Sequence, residues 1–280
     1  MQKPIINLVT VALEEDIGHH DLTTYATVPE DARCHVRLTA NQKGVLSGVR
    51  PFKLAFKIMR AEIQNWEAKS DGQAVKKGEI IASFTANTRA ALGAERTGMN
   101  FIQHLSGIAT TTAKYIDAIK DYPNCRICDT RKTTPLLRDL EKIAVKHGGG
   151  ANHRHSLESG ILIKENHITA AGGIAPAVAL ARKYAPHLLN IEVETESLEE
   201  VQQALDAGAD VIMLDNMDNE TMRKAVEMAH AQNVLLEASG NATLERLPGM
   251  AATGVDIISV GAITHSAHIL DMSLRIENAQ

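Results

Sequence analysis

Two segments bring together residue types that could bind a polyanion. Asp129–Pro135 (DTRKTTP) places two adjacent cations before hydroxyl groups and a proline suited to the first turn of a helix. Gly148–Arg154 (GGGANHR) supplies glycines, His153 and Arg154, and Lys164 follows ten residues later. Arginine offers a planar fork to carboxylate or phosphate, and lysine offers a mobile point charge. These residues predict a pocket for a substrate with several negative charges, with an exposed basic loop as the alternative.

Acidic residues follow two consecutive predicted strands. Glu194 and Asp215 could hold a divalent cation, accept hydrogen bonds from ribose hydroxyls, or stabilise a developing positive charge. Glu192 points to the same side of its strand as Glu194, because side chains alternate with a period of two. Which of these two glutamates acts therefore stays open.

Small residues follow two later strands. The segments Glu237–Asn241 (EASGN) and Ser259–Ala262 (SVGA) form strand-to-helix turns late in the chain. Backbone N–H groups in the last loops of an α/β barrel commonly bind phosphate. The alternative is that these residues are small only because of packing.

The second part of the chain alternates short β-rich runs with amphipathic stretches. This order predicts right-handed βαβ units and a parallel sheet, in which the strand ends meet at one rim. An open doubly wound sheet is the structural alternative. The predicted strands are Arg126–Cys128, Ile161–Ile163, Leu189–Val193, Val211–Leu214, Val234–Leu236 and Ile257–Ser259, and the helices are Pro135–Lys146, Pro176–Tyr184, Leu198–Ala207, Glu220–His230 and Thr243–Ala252.

The first part has a different pattern, with helices beside short alternating strands. The long helix that ends it is predicted to be interrupted near Ser106-Gly107. The helices are Pro4–Ile17, Pro51–Arg60 and Thr88–Lys120, and the strands are Cys34–Thr39, Ile63–Trp66 and Ile80–Phe84.

Composition excludes several classes of protein. A net charge of −5 and 3% aromatic residues argue against nucleic-acid binding. No stretch is apolar enough to span a membrane, and no signal peptide is recognised, so a cytoplasmic protein is expected. The three cysteines suit a reducing compartment, and Cys125-x-x-Cys128 is not expected to bind zinc or act in redox chemistry, because strand parity separates its side chains.

These motifs together resemble the quinolinate phosphoribosyltransferase family. The resemblance spans nearly the whole chain in a single order. The matching segments are Glu15–Gly18, Asp21–Thr24, Glu95–Thr97, Asp129–Pro135, Gly148–Arg154, Leu162–His167, Glu192–Thr195, Leu214–Asn216, Glu237–Asn241 and Ser259–Leu274.

The resemblance implies an α/β fold with an incomplete α/β barrel of the type II phosphoribosyltransferase kind. It implies an N-terminal α/β sandwich domain over residues 1–108, a barrel domain over 109–265 and a tail over 266–280 that returns to the first domain. The implied reaction joins quinolinate to phosphoribosyl pyrophosphate with Mg²⁺ and gives nicotinate mononucleotide, pyrophosphate and CO₂. It also implies a homodimer or a dimer-based assembly in which Arg96 reaches the neighbouring subunit's site.

Roles carry over to matching positions, as implications of the resemblance. The catalytic residues are Lys132, Lys164, Glu194 and Asp215, and the last two are also the metal candidates, directly or through water. Quinolinate would be bound by Arg96, Thr130, Arg131, His153, Arg154 and Lys164. Phosphoribosyl pyrophosphate would be bound by Lys132, Glu194, Asp215, Ser239, Gly240, Asn241, Ser259, Val260, Gly261 and His265.

The departures from the family pattern are small. Leu136 stands where the family commonly has glycine, and His19-His20 replaces a more glycine-like pair. A related branch found with molybdenum-transport genes tends to lose the lysine that matches Lys164, whose presence favours the quinolinate reaction. Two further interpretations stay open, a different phosphate-binding barrel enzyme and a non-catalytic anion-binding protein.

Overall fold

A computed structural model describes residues 2–278, with side chains from Ile5 onward. The chain forms two compact units. The first comprises the chain up to Ala113, the segment Thr134–Gly149 and the chain from Ser266; the second comprises Lys114–Thr133 and Gly150–His265.

The elements alternate along the chain. The strands are β1 (Arg33–Ala40), β2 (Gly44–Val45), β3 (Gln64–Ala68), β4 (Ala74–Val75), β5 (Ile80–Asn87), β6 (Arg126–Cys128), β7 (Ile161–Ile163), β8 (Ile191–Thr195), β9 (Val211–Asp215), β10 (Leu235–Ser239), β11 (Ile257–Ser259) and β12 (Met272–Asn278). The helices are α1 (Gln2–Ile17), α2 (Leu22–Thr27), α3 (Val49–Ile58), α4 (Thr88–Ala118), α5 (Arg138–His147), α6 (Glu165–Ala171), α7 (Ile174–Tyr184), α8 (Leu198–Asp206), α9 (Asn219–His230), α10 (Leu247–Ala251) and α11 (Ala262–His265).

The first unit is built on a four-stranded antiparallel sheet with the order β12-β1-β5-β3, and β2 pairs separately with β4. Alternate residues of β1 are buried, which is the pattern of a strand with one face on a core. Phe52 and Phe56 of α3 contact Phe84 of β5, and Trp66 of β3 lies beside Phe84. This aromatic cluster joins the helix to the sheet.

The second unit is a six-stranded parallel sheet with the order β6-β11-β10-β9-β8-β7. The order follows the chain without reversing, and the first strand pairs with the last. The doubly wound alternative is therefore wrong, because that sheet reverses direction part-way. Among residues 2–278 no ladder joins β6 to β7, so the predicted incomplete barrel is confirmed, with its opening at this seam.

Several helix boundaries differ from the sequence prediction. Helix α4 continues through Ser106-Gly107. A Cβ atom at Gly107 would lie 2.1 Å from the carbonyl oxygen of His268, so this glycine allows a close approach and does not end the helix. The helix predicted from Pro135 begins at Arg138 instead, after Leu136 takes a φ of 67°. Helix α6 was not predicted as a separate helix.

No helix in the described part of the chain is both long and apolar enough to cross a membrane.

Candidate active site at the strand ends

Lys164 and Glu194 lie next to each other at the ends of adjacent strands β7 and β8. The Nζ atom of Lys164 donates a hydrogen bond to Oε2 of Glu194. The Glu194 side chain is 15% exposed and that of Lys164 is 46% exposed, so the pair stands at the edge of the barrel interior. The structure thus joins one predicted cation to one predicted carboxylate.

Asp215 is the last residue of β9, and the polar turn after it is hydrogen-bonded to the end of β10. The side chain of Asn216 donates to Oδ2 of Asp215 at 2.7 Å, and the Asn216 amide donates to the carbonyl of Ser239 at 3.0 Å. Asn241 then donates to Oδ1 of Asn216 at 3.1 Å. Gly240 has a φ of 87°, and a Cβ there would lie 2.1 Å from the same Oδ1, so only glycine fits. Asn216 therefore holds together the turn at Gly240 and Asn241, which is predicted to bind phosphate.

Lys132 follows β6 and is held against helix α11. Its carbonyl accepts a hydrogen bond from Oγ1 of Thr264 at 2.7 Å, and its amide donates to Oγ1 of Thr130 at 3.0 Å. A Cβ at Gly261 would lie 3.0 Å from Cδ of Lys132 and 3.1 Å from the His265 ring. Lys132, Gly261 and His265, which the resemblance assigns to phosphoribosyl pyrophosphate, therefore lie together.

The glycine-rich segment fills part of the seam beside β6. Ala151 forms an isolated parallel bridge with Cys128. The buried carboxylate of Asp129 accepts from the His153 amide at 2.8 Å and from the Asn152 side chain at 2.5 Å. On the far side, Nη1 of Arg154 donates to the carbonyl of Gly160 at 3.0 Å. Asp129 thus anchors the two residues that precede Arg154.

Arg131 lies close enough to Arg154 to affect its pKa. Burial and the neighbouring Arg131 lower the pKa of Arg154, while Glu192 acts in the opposite direction. Two guanidinium groups placed together repel each other unless an anion lies between or beside them. Glu192 partly offsets this repulsion at Arg154.

The His153 ring points into the barrel. Its Nε2 atom lies 3.3 Å from Oε2 of Glu192 and 3.5 Å from Oε1 of Glu237. Burial opposes ring protonation, while the hydrogen bonds and charges of these two carboxylates favour a proton on Nε2 and raise the pKa of His153. Burial also raises the pKa of Glu192.

Most of the chain matches two consecutive family models. Residues 21–106 match the quinolinate phosphoribosyl transferase N-terminal domain, and residues 108–275 match the C-terminal domain of the same family. The chain belongs to the quinolinate phosphoribosyltransferase family.

Two curated relatives carry the same activity name. A probable nicotinate-nucleotide pyrophosphorylase [carboxylating] of Bacillus subtilis is 45% identical over 94% of this chain and 90% of its own length. A chloroplastic nicotinate-nucleotide pyrophosphorylase [carboxylating] of Arabidopsis thaliana is 39% identical over 96% of this chain and 82% of its own length.

Solved structures agree with the family over nearly the full chain. NadC from Streptococcus pyogenes superposes with a TM-score of 0.94 at 38% identity and covers 99% of this chain and 97% of its own. The nicotinate-nucleotide pyrophosphorylase from Francisella tularensis has a TM-score of 0.92 at 40% identity and covers 98% of this chain and 96% of its own. The molybdenum-transport alternative is not favoured by these matches.

The structure groups most of the residues that the family resemblance selected, but not all of them. Ser259 and Val260 are buried at the end of β11, and the Ser259 hydroxyl has no hydrogen-bond partner among the described residues. Arg96 is an exposed residue of α4 in the first unit. The predicted metal residues Glu194 and Asp215 do not form part of a three-ligand group within residues 2–278, whereas His153, Glu192 and Glu237 do.

Sequence reasoning missed three residues that organise the site. Asn216 holds the phosphate turn, Asp129 anchors the glycine-rich segment, and Glu237 faces His153. Strand parity gives a signal for Glu237, because it lies two residues before Ser239 and shares its side of β10. Asn216 and Asp129 lie inside quoted family motifs, but their hydrogen bonds depend on distant residues.

Proposed function

We propose that this protein transfers the phosphoribosyl group of phosphoribosyl pyrophosphate to quinolinate and releases pyrophosphate and CO₂. The reaction yields nicotinate mononucleotide, a precursor of NAD. The observation that carries the proposal is the rim of the barrel, where Arg131 and Arg154 stand together and the Lys164–Glu194 pair stands on adjacent strand ends. A site of this kind receives an anionic acceptor at one end and a ribose at the other.

The guanidinium pair is the proposed site of the two quinolinate carboxylates. Each opposite-charge contact at about 4 Å contributes on the order of 4 kcal/mol at an effective dielectric of about 20, before desolvation costs are subtracted. A dianion also removes the repulsion between Arg131 and Arg154. Thr130, and Arg96 from a second subunit, are assigned to the same end of the substrate.

The acidic residues are assigned to the ribose. Glu194 and Asp215 accept hydrogen bonds from its hydroxyls and offset the positive charge that develops at C1′ as pyrophosphate leaves. Lys164 neutralises Glu194 and is assigned a place between the two substrates. Lys132, Gly261 and His265 bind the phosphate end, together with Ser239, Gly240, Asn241, Ser259 and Val260.

The chemistry follows from charge placement. The quinolinate nitrogen forms a bond to C1′, and the C1′–oxygen bond breaks with its electron pair leaving on pyrophosphate. The ring nitrogen is then positively charged and stabilises the electron pair left at C2 when that carboxylate departs as CO₂, after which a proton takes its place. Positioning and electrostatic stabilisation supply most of the rate enhancement.

Magnesium fits the donor set at the ribose end. Carboxylate oxygens of Asp215 and Glu194 are ligands that Mg²⁺ accepts, and Mg²⁺ usually binds one or two carboxylates together with substrate phosphates. Lys164 already engages Glu194, so Asp215 is the more available carboxylate. When bound, Mg²⁺ would neutralise charge on the pyrophosphate leaving group.

The proposed assembly is a homodimer in which Arg96 completes the neighbouring site. Arg96 is exposed on α4 in the single chain. A residue that acts across an interface must be accessible in this way. We assign the protein to the cytoplasm. All three cysteines are buried, and burial raises the pKa of Cys125 to about 11, which suits inert thiols in a reducing compartment.

The direct test is incubation of the purified protein with quinolinate, phosphoribosyl pyrophosphate and Mg²⁺. Equal amounts of CO₂, pyrophosphate and nicotinate mononucleotide are expected, and nicotinate in place of quinolinate serves as the control acceptor. Absence of product at saturating substrate, from protein shown to be folded, would refute the proposal.

A further inference from the structure

His153 is held at both ring nitrogens by protein groups. Its Nε2 atom faces the carboxylates of Glu192 on β8 and Glu237 on β10 at 3.3 and 3.5 Å. Its Nδ1 atom accepts a hydrogen bond from the backbone N–H of Arg154 at 2.8 Å. Since Nδ1 is an acceptor, the ring proton lies on Nε2 and faces the two carboxylates, with Oε2 of Glu192 the nearer. The direct contact between His153 and quinolinate that the resemblance implied would require one of these interactions to break.

The two carboxylates are deeply buried. Glu192 is 8% exposed and Glu237 is 3% exposed, and Oε1 of Glu192 has no hydrogen-bond partner among the described residues. Two carboxylates facing one ring in such a place repel each other and are costly to desolvate. Because burial of these two glutamates costs free energy, we expect them to have a role other than packing.

Arg154 directly follows His153 in the chain. This links the cluster of His153, Glu192 and Glu237 to the proposed quinolinate pocket. The His153 amide donates to Asp129, the Arg154 amide donates to the His153 ring, and the Arg154 guanidinium donates to Gly160. The backbone at Arg154 is therefore fixed from both the Asp129 side and the ring side. Because Arg131 lies nearby and repels the Arg154 guanidinium, an unfixed Arg154 would turn away from it.

We propose that Glu192 and Glu237 are positioning residues for quinolinate binding: by holding the His153 ring they fix the backbone of Arg154 and aim its guanidinium at a substrate carboxylate. The inference rests on the proposed function, because it assigns Arg154 to quinolinate. It explains the inward-facing pair on β8 and β10 without giving either glutamate a contact with substrate.

A metal ion is the competing explanation for the same three residues, whose ligand atoms lie within 4.8 Å of one another. The contact at Nδ1 argues against it. A neutral histidine that binds a metal through Nε2 carries its proton on Nδ1, and that proton would face the N–H of Arg154. The observed acceptor contact therefore fits a ring protonated on Nε2.

The kinetic test uses isosteric variants, Glu192→Gln and Glu237→Gln, with exposed Glu227→Gln as the matched control. We expect the KM for quinolinate to rise on the order of tenfold to a hundredfold, as for a misplaced binding group, while the KM for phosphoribosyl pyrophosphate and kcat change less than about twofold. An unchanged KM for quinolinate would overturn the proposal. So would a parallel loss in both KM values and kcat together with a lowered Tm, because that pattern marks a purely structural role.

A second measurement does not depend on activity or on the folding of these variants. Nitrogen-15 NMR of histidine-labelled wild-type protein, with His153 assigned by its loss in His153→Gln, should show a protonated Nε2 and an unprotonated Nδ1. The opposite tautomer, or a stoichiometric metal ion in the purified protein, would overturn the proposal. If the wild type turned over no quinolinate, the proposed function would fail, and the NMR result would still decide whether the glutamates hold the ring.

Discussion

The Nε2 atom of His104 lies 2.8 Å from Oε1 of Glu141, whose side chain is fully buried. The other carboxylate oxygen of Glu141 accepts a hydrogen bond from the backbone N–H of Thr134 at 3.1 Å. Glu141 therefore joins α4 to the segment that immediately follows the cationic DTRKT motif. All three residues belong to the first unit.

Removal of this carboxylate should destabilise the protein. Glu141→Ala leaves the Thr134 amide and the His104 ring without their partner, and loss of these contacts to a buried carboxylate costs about 2–4 kcal/mol. Urea unfolding measures the change in the free energy of unfolding, and the exposed Glu14→Ala on α1 is the control, with an expected change below about 0.5 kcal/mol. Equal effects for the two variants would contradict the structural role of Glu141.

The parts of this fold that sequence predicted are those governed by local periodicity. Strand ends such as Glu194 and Asp215 were found because short β-rich runs alternate with helices, and each run places its last residue at the same rim. The alternation of side chains also placed Glu192 beside Glu194. These features depend on residues that are neighbours in the chain.

What sequence could not predict depends on contacts between distant residues. Gly107 looked like a helix break, but it is a glycine because the His268 carbonyl approaches it. The direction of the His153 ring depends on β8 and β10, which lie about 40 and 80 residues further along the chain. No local pattern encodes such a contact.

Lys164 should be required for turnover. Its ammonium group contacts Glu194 and stands at the rim where charge changes during transfer. Lys164→Met keeps much of the side-chain bulk but removes the charge, and we expect kcat to fall on the order of a hundredfold to a thousandfold. Lys183→Met, at an exposed lysine of α7, should retain wild-type kcat in the same steady-state assay. Near-normal turnover in Lys164→Met would remove Lys164 from the catalytic residues.

Substitution of Gly240 should weaken the binding of phosphoribosyl pyrophosphate specifically. Gly240→Ala combines a left-handed φ of 87° with a Cβ placed 2.1 Å from Oδ1 of Asn216, so the turn must move. We expect the KM for phosphoribosyl pyrophosphate to rise at least about tenfold, because the turn presents the phosphate-binding groups. Gly208→Ala is the control: it has a φ of 76° and open space around the added Cβ. If both variants keep normal KM values, the turn does not bind this substrate.

Leu136 should be a site at which glycine stabilises the protein. Its φ of 67° lies in the left-handed region, which costs a β-carbon-bearing residue about 1–2 kcal/mol, while the side chain is 87% exposed and gains little from packing. Leu136→Gly should raise the free energy of unfolding by about 0.5–1 kcal/mol after the entropy of glycine is included. Leu22→Gly, at an exposed helical position, should have the opposite sign. Denaturant titration of both variants checks the signs, and destabilisation by Leu136→Gly would show that the strain is absent.

The proposed sharing of the site between subunits makes a prediction about mixtures. Arg96→Ala and Lys132→Ala should each abolish activity, because one removes the cation offered to the neighbouring subunit and the other removes a cation at the barrel rim. Their hybrid dimer contains one site in which both residues are intact. After subunit exchange, we therefore expect mixed protein to regain about a quarter of wild-type activity: random pairing makes about half of all dimers hybrids, each with one of two sites restored. Exchange is followed by native mass spectrometry with one variant isotopically labelled. Hybrids that form in the expected amount but show no activity would mean that Arg96 serves a site within its own chain.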